Sequence, residues 1–239
     1  MAEHDRRGRL AVVASGTPTV QLEMNGRPLD LRWSAEHVPA ILDVWYPGTR
    51  GGSAVARLLF GDVSPGGKLP FTWPRTVGQV PMIYGHTRSH EPQNQGKRYW
   101  DDVSVPLYPF GHGLSYGRFE HADLTLDRDE IGTDGSLTVS VTVTNTGERE
   151  ADEVVQLYVH QRHGTAARPV RELKGFERVT LAPGGSRTVT FTVGAEELRY
   201  WNAASRDWVV DPATYDVWVG GDSTAELGTT FRVTAGQTG

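Results

Sequence analysis

From about residue 120 onward, apolar side chains recur at every second position, and that period decides what this half of the chain can become. Leu137, Val139, Val141 and Val143 alternate with polar residues and stop at Asn145, Thr146 and Gly147. Val155, Leu157 and Val159 repeat the pattern, as do Val189, Phe191 and Val193, and then Tyr215, Val217 and Val219. Successive side chains of a strand point to opposite faces, so each run presents one apolar face and one polar face. Short runs of this kind at hairpin spacing predict an all-β sandwich.

Residues 9–118 read differently, with helix and strand signals in alternation. Gly16 stands where a helix C-cap belongs, and Thr17–Asn25 predicts the next strand. In that strand Gln21 and Glu23 interrupt Val20, Leu22 and Met24. A strand buried on both faces would be continuously apolar, so the alternation predicts a half-exposed edge strand or records relaxed selection. Ser34 is placed as an N-cap with Glu36–Leu42 as the helix, Pro39 marking a break or a late first turn. Gly51–Phe60 is a second helix, with Ala54, Val55, Leu58 and Leu59 forming one apolar face against a sheet. Residues 75–105 are rich in Gly, Pro, Asn, Gln and His without a sustained period and read as a long loop region. The fold class expected is therefore α/β plus all-β.

A chain of 239 residues suits one or two domains, and a formal charge of −5 without any Lys/Arg block gives no electrostatic case for nucleic acid or an anionic membrane. Of the 24 basic residues only Lys68, Lys97 and Lys174 are lysines, which points to no site. The absence of cysteine excludes disulfides, thiolate metal sites and thiol nucleophiles, and leaves the compartment open. Arg6, Arg7 and Arg9 precede the apolar stretch Leu10–Ala14. That stretch is shorter than the roughly 7 to 15 residues of a signal-peptide core. No segment is long and apolar enough to span a membrane.

Two segments carry the densest motifs: Leu58–Pro74 (LLFGDVSPGGKLPFTWP) and Pro106–Phe119 (PLYPFGHGLSYGRF). In the first, Gly61, Asp62, Pro65, Gly66 and Gly67 are turn formers, and Lys68–Trp73 reads as a short strand. Together with NGRPLDLRW (Asn25–Trp33), Ala40–Asp62 and Arg168–Phe191, these motifs resemble the carboxy-terminal half of glycoside hydrolase family 3, the β-glucosidase and β-xylosidase group. The resemblance runs from about Ala11 to the end of the chain. It implies a partial family 3 α/β sandwich domain over 9–118 and a fibronectin type III-like β-sandwich domain over 119–239. Family members usually carry aliphatic residues at the positions of Gln21 and Glu23.

The resemblance also implies what these residues omit. Members of the family begin with a (β/α)8-type barrel bearing an aspartate nucleophile, and the early part of their second domain supplies an acid/base glutamate; neither segment matches here. The expectation is a β-glucosidase-like fragment without catalytic residues and inactive alone. Two alternatives stay open: half of a split glycosidase completed by a barrel-containing partner chain, and a noncatalytic carbohydrate-binding or stabilising module. The substrates implied for the complete enzyme are β-linked glucosides or xylosides, with no cofactor. Relatives of this type are often periplasmic or secreted.

Glycoside hydrolysis needs two carboxyl groups flanking the bond, one protonated and one ionised. Asp101 and Asp102 are adjacent and point apart in an extended chain, so a solvated acidic loop or a local Arg pair is the expected role. Asp62 is expected in a turn or cap. His86 and His90, with Glu91, have metal-ligand spacing only if helical, which Gly85 and Pro92 oppose. By resemblance, His86, Arg98 and Tyr99 lie at a substrate-pocket rim, although Thr87–His90 replaces the family's Thr-Gly-Arg-Pro pattern. Trp201, Trp208 and Trp218 are expected in the core rather than on a sugar-stacking surface, and Trp33, Trp45 and Trp73 are read as structural. Ser115 lies in a turn, and no GxSxG elbow supports a serine nucleophile.

Overall fold

The computed structural model describes residues 3–88 and 102–235. The chain forms two compact units. The first contains the residues up to Val63, Thr72–Met82 and 102–108. The second contains Ser64–Phe71, 83–88 and everything from Pro109 onward.

In the first unit helix α1 (Glu3–Ala14) closes at Gly16, whose φ of +74° is the left-handed cap expected of glycine. Strand β1 (Val20–Glu23), helix α2 (Arg32–His37), strand β2 (Ala40–Asp43) and helix α3 (Gly51–Leu59) follow. The strands pair in parallel, Val20 opposite Ala40 and Glu23 opposite Asp43, and among the described residues neither has a second neighbour.

The helix expected over Glu36–Leu42 is corrected. It lies earlier, at Arg32–His37, with Leu31 rather than Ser34 in the N-cap position. Pro39 is the cause: it drives the preceding residue out of the helical region, and Val38 sits at φ −103°, ψ 123°. Residues 40–43 then extend into β2. Ser34 is buried inside the helix, its hydroxyl accepting from Arg9 Nη1 at 3.0 Å.

Helix α3 stands where the period places it. The N–H of Gly61, at φ +78°, donates to Leu58 O at 3.1 Å, and the N–H of Asp62 donates to Arg57 O at 2.9 Å. These are the two bonds of a Schellman cap, and they give Asp62 its turn role. Its apolar face is less covered than expected: Val55 and Leu58 are half-buried, but Ala54 and Leu59 are exposed. On β1 the sense of burial is reversed, with Val20, Leu22 and Met24 exposed and Glu23 only 9% exposed. A two-stranded sheet offers too little surface to cover both its own apolar face and a helix. The unit's core is small, built on Leu31, Val38 and Trp73. Trp73 Nε1 donates to Leu29 O at 2.9 Å, and its ring lies 6.0 Å from that of Trp45.

The second unit is the predicted sandwich. One antiparallel sheet orders β3 (Phe119–Leu126), β5 (Ser136–Asn145) and β8 (Ser186–Gly194). The other orders β4 (Glu130–Gly132), β12 (Gly228–Thr234), β11 (Ala213–Gly220), β6 (Ala151–Gln161) and β7 (Glu172–Leu181), with only β4 and β12 parallel. A short helix α4 (Ala195–Leu198) leads into the hairpin β9 (Tyr200–Asn202) and β10 (Asp207–Val209). Val139, Val141, Val143, Val155, Leu157, Val189, Val193, Val217 and Val219 fill the space between the sheets. The run expected to stop at Asn145 does so because the buried Asn145 amide donates to Arg149 O and Leu181 O, both at 2.8 Å, and accepts from the Gly147 N–H.

His121 on β3 is a half-buried titratable group near Glu153 and Lys68, its buried Nε2 without a hydrogen-bond partner among the described residues. Burial pushes its pKa below the ordinary histidine value, and Glu153 only partly opposes this. The unfolded chain therefore takes up the proton first as pH falls through about 6.5. The stability from the neutral imidazole is fully present above that pH and is lost as pH falls toward the depressed folded value. Thermal unfolding from pH 7.5 down to pH 5 is expected to show a steeper loss of Tm for the natural chain than for His121→Phe; parallel curves would contradict the assignment.

Candidate functional site

Of the three residues expected at a pocket rim, the structure describes His86. Arg98 and Tyr99 lie outside the described residues, as do His90, Glu91 and Asp101. His86 is half-buried, its carbonyl accepts the Val170 N–H at 2.8 Å, and its Nδ1 is 2.9 Å from Thr87 O. Two residues earlier the Tyr84 ring stacks on Phe110 at 4.2 Å and meets Tyr158 edge-on at 6.0 Å. The Tyr84 hydroxyl accepts the Leu173 N–H at 3.1 Å. His86 is thus fixed by main-chain and aromatic anchors on the chain running into β7.

The two glycine-rich motifs meet on the same layer. The Leu69 N–H donates to His112 O, and the Gly111 N–H donates back to Leu69 O, both at 2.8 Å. A Cβ on Gly113 would lie 2.1 Å from Gly67 O, so the close approach of these two backbones requires glycine. Lys68 reaches inward, with Nζ 2.9 Å from Glu153 and 2.9 Å from Gly113 O. The Gln156 amide donates to Gly111 O at 3.2 Å and Gly221 O at 2.5 Å, while its oxygen accepts the Tyr158 hydroxyl at 2.5 Å. Arg171 lies over the Trp218 ring at 4.2 Å and donates to Ser223 O and Ala225 O. Burial pushes the Tyr158 phenol far up, so it stays a donor.

Sequence reasoning missed this layer because Gln156 and Tyr158 occupy positions that alternation assigns to solvent. The available signal was the pair of glycine motifs, which only a close backbone contact explains. The layer holds segments in place. Replacing Lys68 by Met leaves the Glu153 carboxylate buried and unpaired and is expected to destabilise the chain by about 3 kcal/mol. Adding Glu153→Leu should restore much of that loss; denaturant titration of the single and double variants measures both.

Two carboxylates outside this layer have perturbed environments. Asp102 takes two arginines distant in sequence: it accepts from Arg32 Nη1 and Arg75 Nε, each at 3.0 Å, and from the Val103 N–H at 2.8 Å. Burial pushes its pKa up, but Val103, Arg75 and Arg32 together outweigh this and hold it below the usual carboxylate range. The two arginines and the Val103 N–H thus favour its ionised form. Asp43 is raised, first by burial and also by the neighbouring Glu23, to which Gln21 donates. Among the described residues no three His, Asp or Glu side chains converge to hold a metal.

The tryptophan expectation is corrected for two of three rings. Trp201 and Trp208 are 53% and 55% exposed, with ring centroids 5.9 Å apart and planes at 73°. They lie opposite each other on β9 and β10, and the strand alternation spends its inward positions on Tyr200 and Asn202. Trp218 is half-buried beneath Arg171.

Comparison with known proteins decides the family. A profile described as the glycosyl hydrolase family 3 C-terminal domain matches residues 4–116, and a fibronectin type III-like domain profile matches 153–223. This chain corresponds to the C-terminal region of glycoside hydrolase family 3 proteins. Within that family it is 45% identical over 219 residues to a periplasmic β-glucosidase of Salmonella typhimurium and 44% identical over 216 residues to a β-xylosidase of Formosa agariphila. These alignments cover 89% and 90% of this chain but only 28% and 30% of the relatives. Among solved structures, a β-glucosidase from Erythrobacter marinus superimposes with a TM-score of 0.88 at 42% identity, over 95% of this chain and 29% of that one. A β-glucosidase from Listeria innocua in complex with isofagomine gives 0.86 at 37% identity, over 94% and 32%. The family 3 chain thus spans about three tenths of the length of these relatives, and its α/β plus all-β architecture is theirs.

Proposed function

We propose that this chain is the structural C-terminal part of a β-glucosidase-type enzyme, and that by itself it does not hydrolyse glycosides. The observation that carries the reading is the unfinished sheet of the first unit. The parallel pair β1–β2 has open edges among the described residues, Val20, Leu22 and Met24 stand exposed, and helix α3 buries only half of its apolar face. Exposed apolar surface of this kind marks a partner site. The partner proposed is a barrel-containing glycosidase segment, in the same or a separate polypeptide, that supplies nucleophile and acid/base. Domain limits of 9–118 and 119–239, and a rim position for His86, Arg98 and Tyr99 in the assembled enzyme, belong to the same proposal.

The substrate class proposed is β-linked glucosides or xylosides, in line with the named activities of the relatives. The commitment of Asp102 to two arginines supports silence of the chain alone, because a locked ionised carboxylate cannot deliver the proton that the leaving group needs.

Hydrolysis of 4-nitrophenyl β-glucoside and β-xyloside by the purified chain is expected to equal the buffer blank. Addition of a separately expressed fragment of a family 3 β-glucosidase, containing the barrel and the early part of the second domain, is expected to produce turnover. Turnover by the chain alone, or none in the mixture, would contradict the proposal.

A further inference from the structure

The hairpin β9–β10 exposes two indoles that the fold does not need exposed. Its inward side is already occupied by a buried polar network: Tyr200 hydroxyl donates to Asp211 at 2.6 Å, and Asn202 Nδ2 donates to Thr165 Oγ1 at 2.8 Å. Asp211 also accepts from the Thr165 N–H at 2.8 Å and from Gln161 Nε2 at 3.1 Å. The turn is tied by the Asn202 side-chain oxygen, which accepts from the N–H groups of Ala204 at 2.9 Å and Ser205 at 3.3 Å. A hairpin secured in this way presents its outward side chains from a fixed base, and rigidity of that kind lowers the entropy lost when a ligand binds.

On the outward side Trp201 and Trp208 meet nearly at a right angle and form a corner. Arg199 lies over Trp208 with its guanidinium 5.1 Å from the ring, and Glu196 pairs with Arg199 at 2.5 Å. Aromatic faces flanked by both signs of charge suit a ligand with an apolar face and a rim of hydroxyls. A pyranose ring with equatorial substituents is such a ligand, its axial C–H bonds covering each face and its hydroxyls lying in the ring plane. The exposed halves of two indoles amount to a few hundred Å², far short of the roughly 1,200 Å² that a specific protein interface buries.

We propose that Trp201 and Trp208 form a binding platform for β-linked gluco- or xylo-oligosaccharide, separate from any catalytic pocket. The choice of β-linked sugar rests on the functional reading above. The platform would keep glycan near an enzyme of which this chain is part.

Titration of the full chain with cellotetraose and xylotetraose, followed by tryptophan fluorescence, is expected to give a saturable blue shift. Maltotetraose, α-linked and curved, is expected to bind at least tenfold more weakly. Trp201→Ala and Trp208→Ala should each weaken binding at least tenfold, whereas Trp208→Tyr should retain it within a few-fold. On the natural chain, which needs no variant to fold, saturating cellotetraose should slow oxidation of Trp201 and Trp208 by N-bromosuccinimide, mapped by mass spectrometry. No saturable shift with either β-linked sugar, equal binding of maltotetraose, or no protection of these two rings would overturn the platform. Because the assay reads binding, platform failure beside turnover in the complemented mixture removes the platform alone, and binding by a chain silent in every mixture removes the enzymatic reading alone.

Discussion

Strand β6 is buried on both faces, and most of the second unit is arranged around that fact. Its inward residues Val155, Leu157 and Val159 join the sandwich core, while Gln156, Tyr158 and His160 on the other face lie under a layer made by 64–71, 83–88 and 109–118. Polar groups placed at such depth must find partners. Gln156 bonds to Gly111, Gly221 and Tyr158, His160 Nδ1 lies 2.7 Å from Pro169 O, and Glu153 takes Lys68. The glycine motifs follow from the same constraint, since the covering segments can approach each other only where Cβ atoms are absent.

The first unit stands in contrast. It is held by Trp73, Leu31 and a few ion pairs around Asp102, and a two-stranded sheet gives it little area in which to bury apolar surface. Its exposed Val20, Leu22 and Met24, and the carboxylates of Glu23 and Asp43 set side by side in register, make it the less self-sufficient half. The functional reading depends on this imbalance between a complete sandwich and an unfinished α/β unit.

The sandwich was legible in the sequence because its signal is local: period-two runs at β5, β6, β8 and β11 need no knowledge of what lies opposite. Helix α3 and the Gly16 cap were legible for the same reason. The helix expected over Glu36–Leu42 fails because Pro39, read as a break or a late first turn, instead ends the helix at His37 through its steric effect on Val38 and leaves residues 40–43 to pair with β1. The partners of Asp102 were hidden because Arg32 and Arg75 are brought to it only by folding. For Trp201 and Trp208 apolar neighbours and ring area point to the core, yet the deciding quantity is strand phase, which Tyr200 and Asn202 set by joining the Asp211 network. Of the rim expectation, only His86 lies among the described residues, and its main-chain bond to Val170 is formed only by folding.

Native-state hydrogen exchange followed by mass spectrometry tests the central claim most directly, because it reads the stability of each unit separately. The account predicts that amides of β5, β6 and β11 are protected close to the limit set by global unfolding, while those of β1 and β2 exchange orders of magnitude faster in the isolated chain. Protection of β1 and β2 equal to that of β6 would contradict it, since a two-stranded sheet as stable as the sandwich would have no need of further surface.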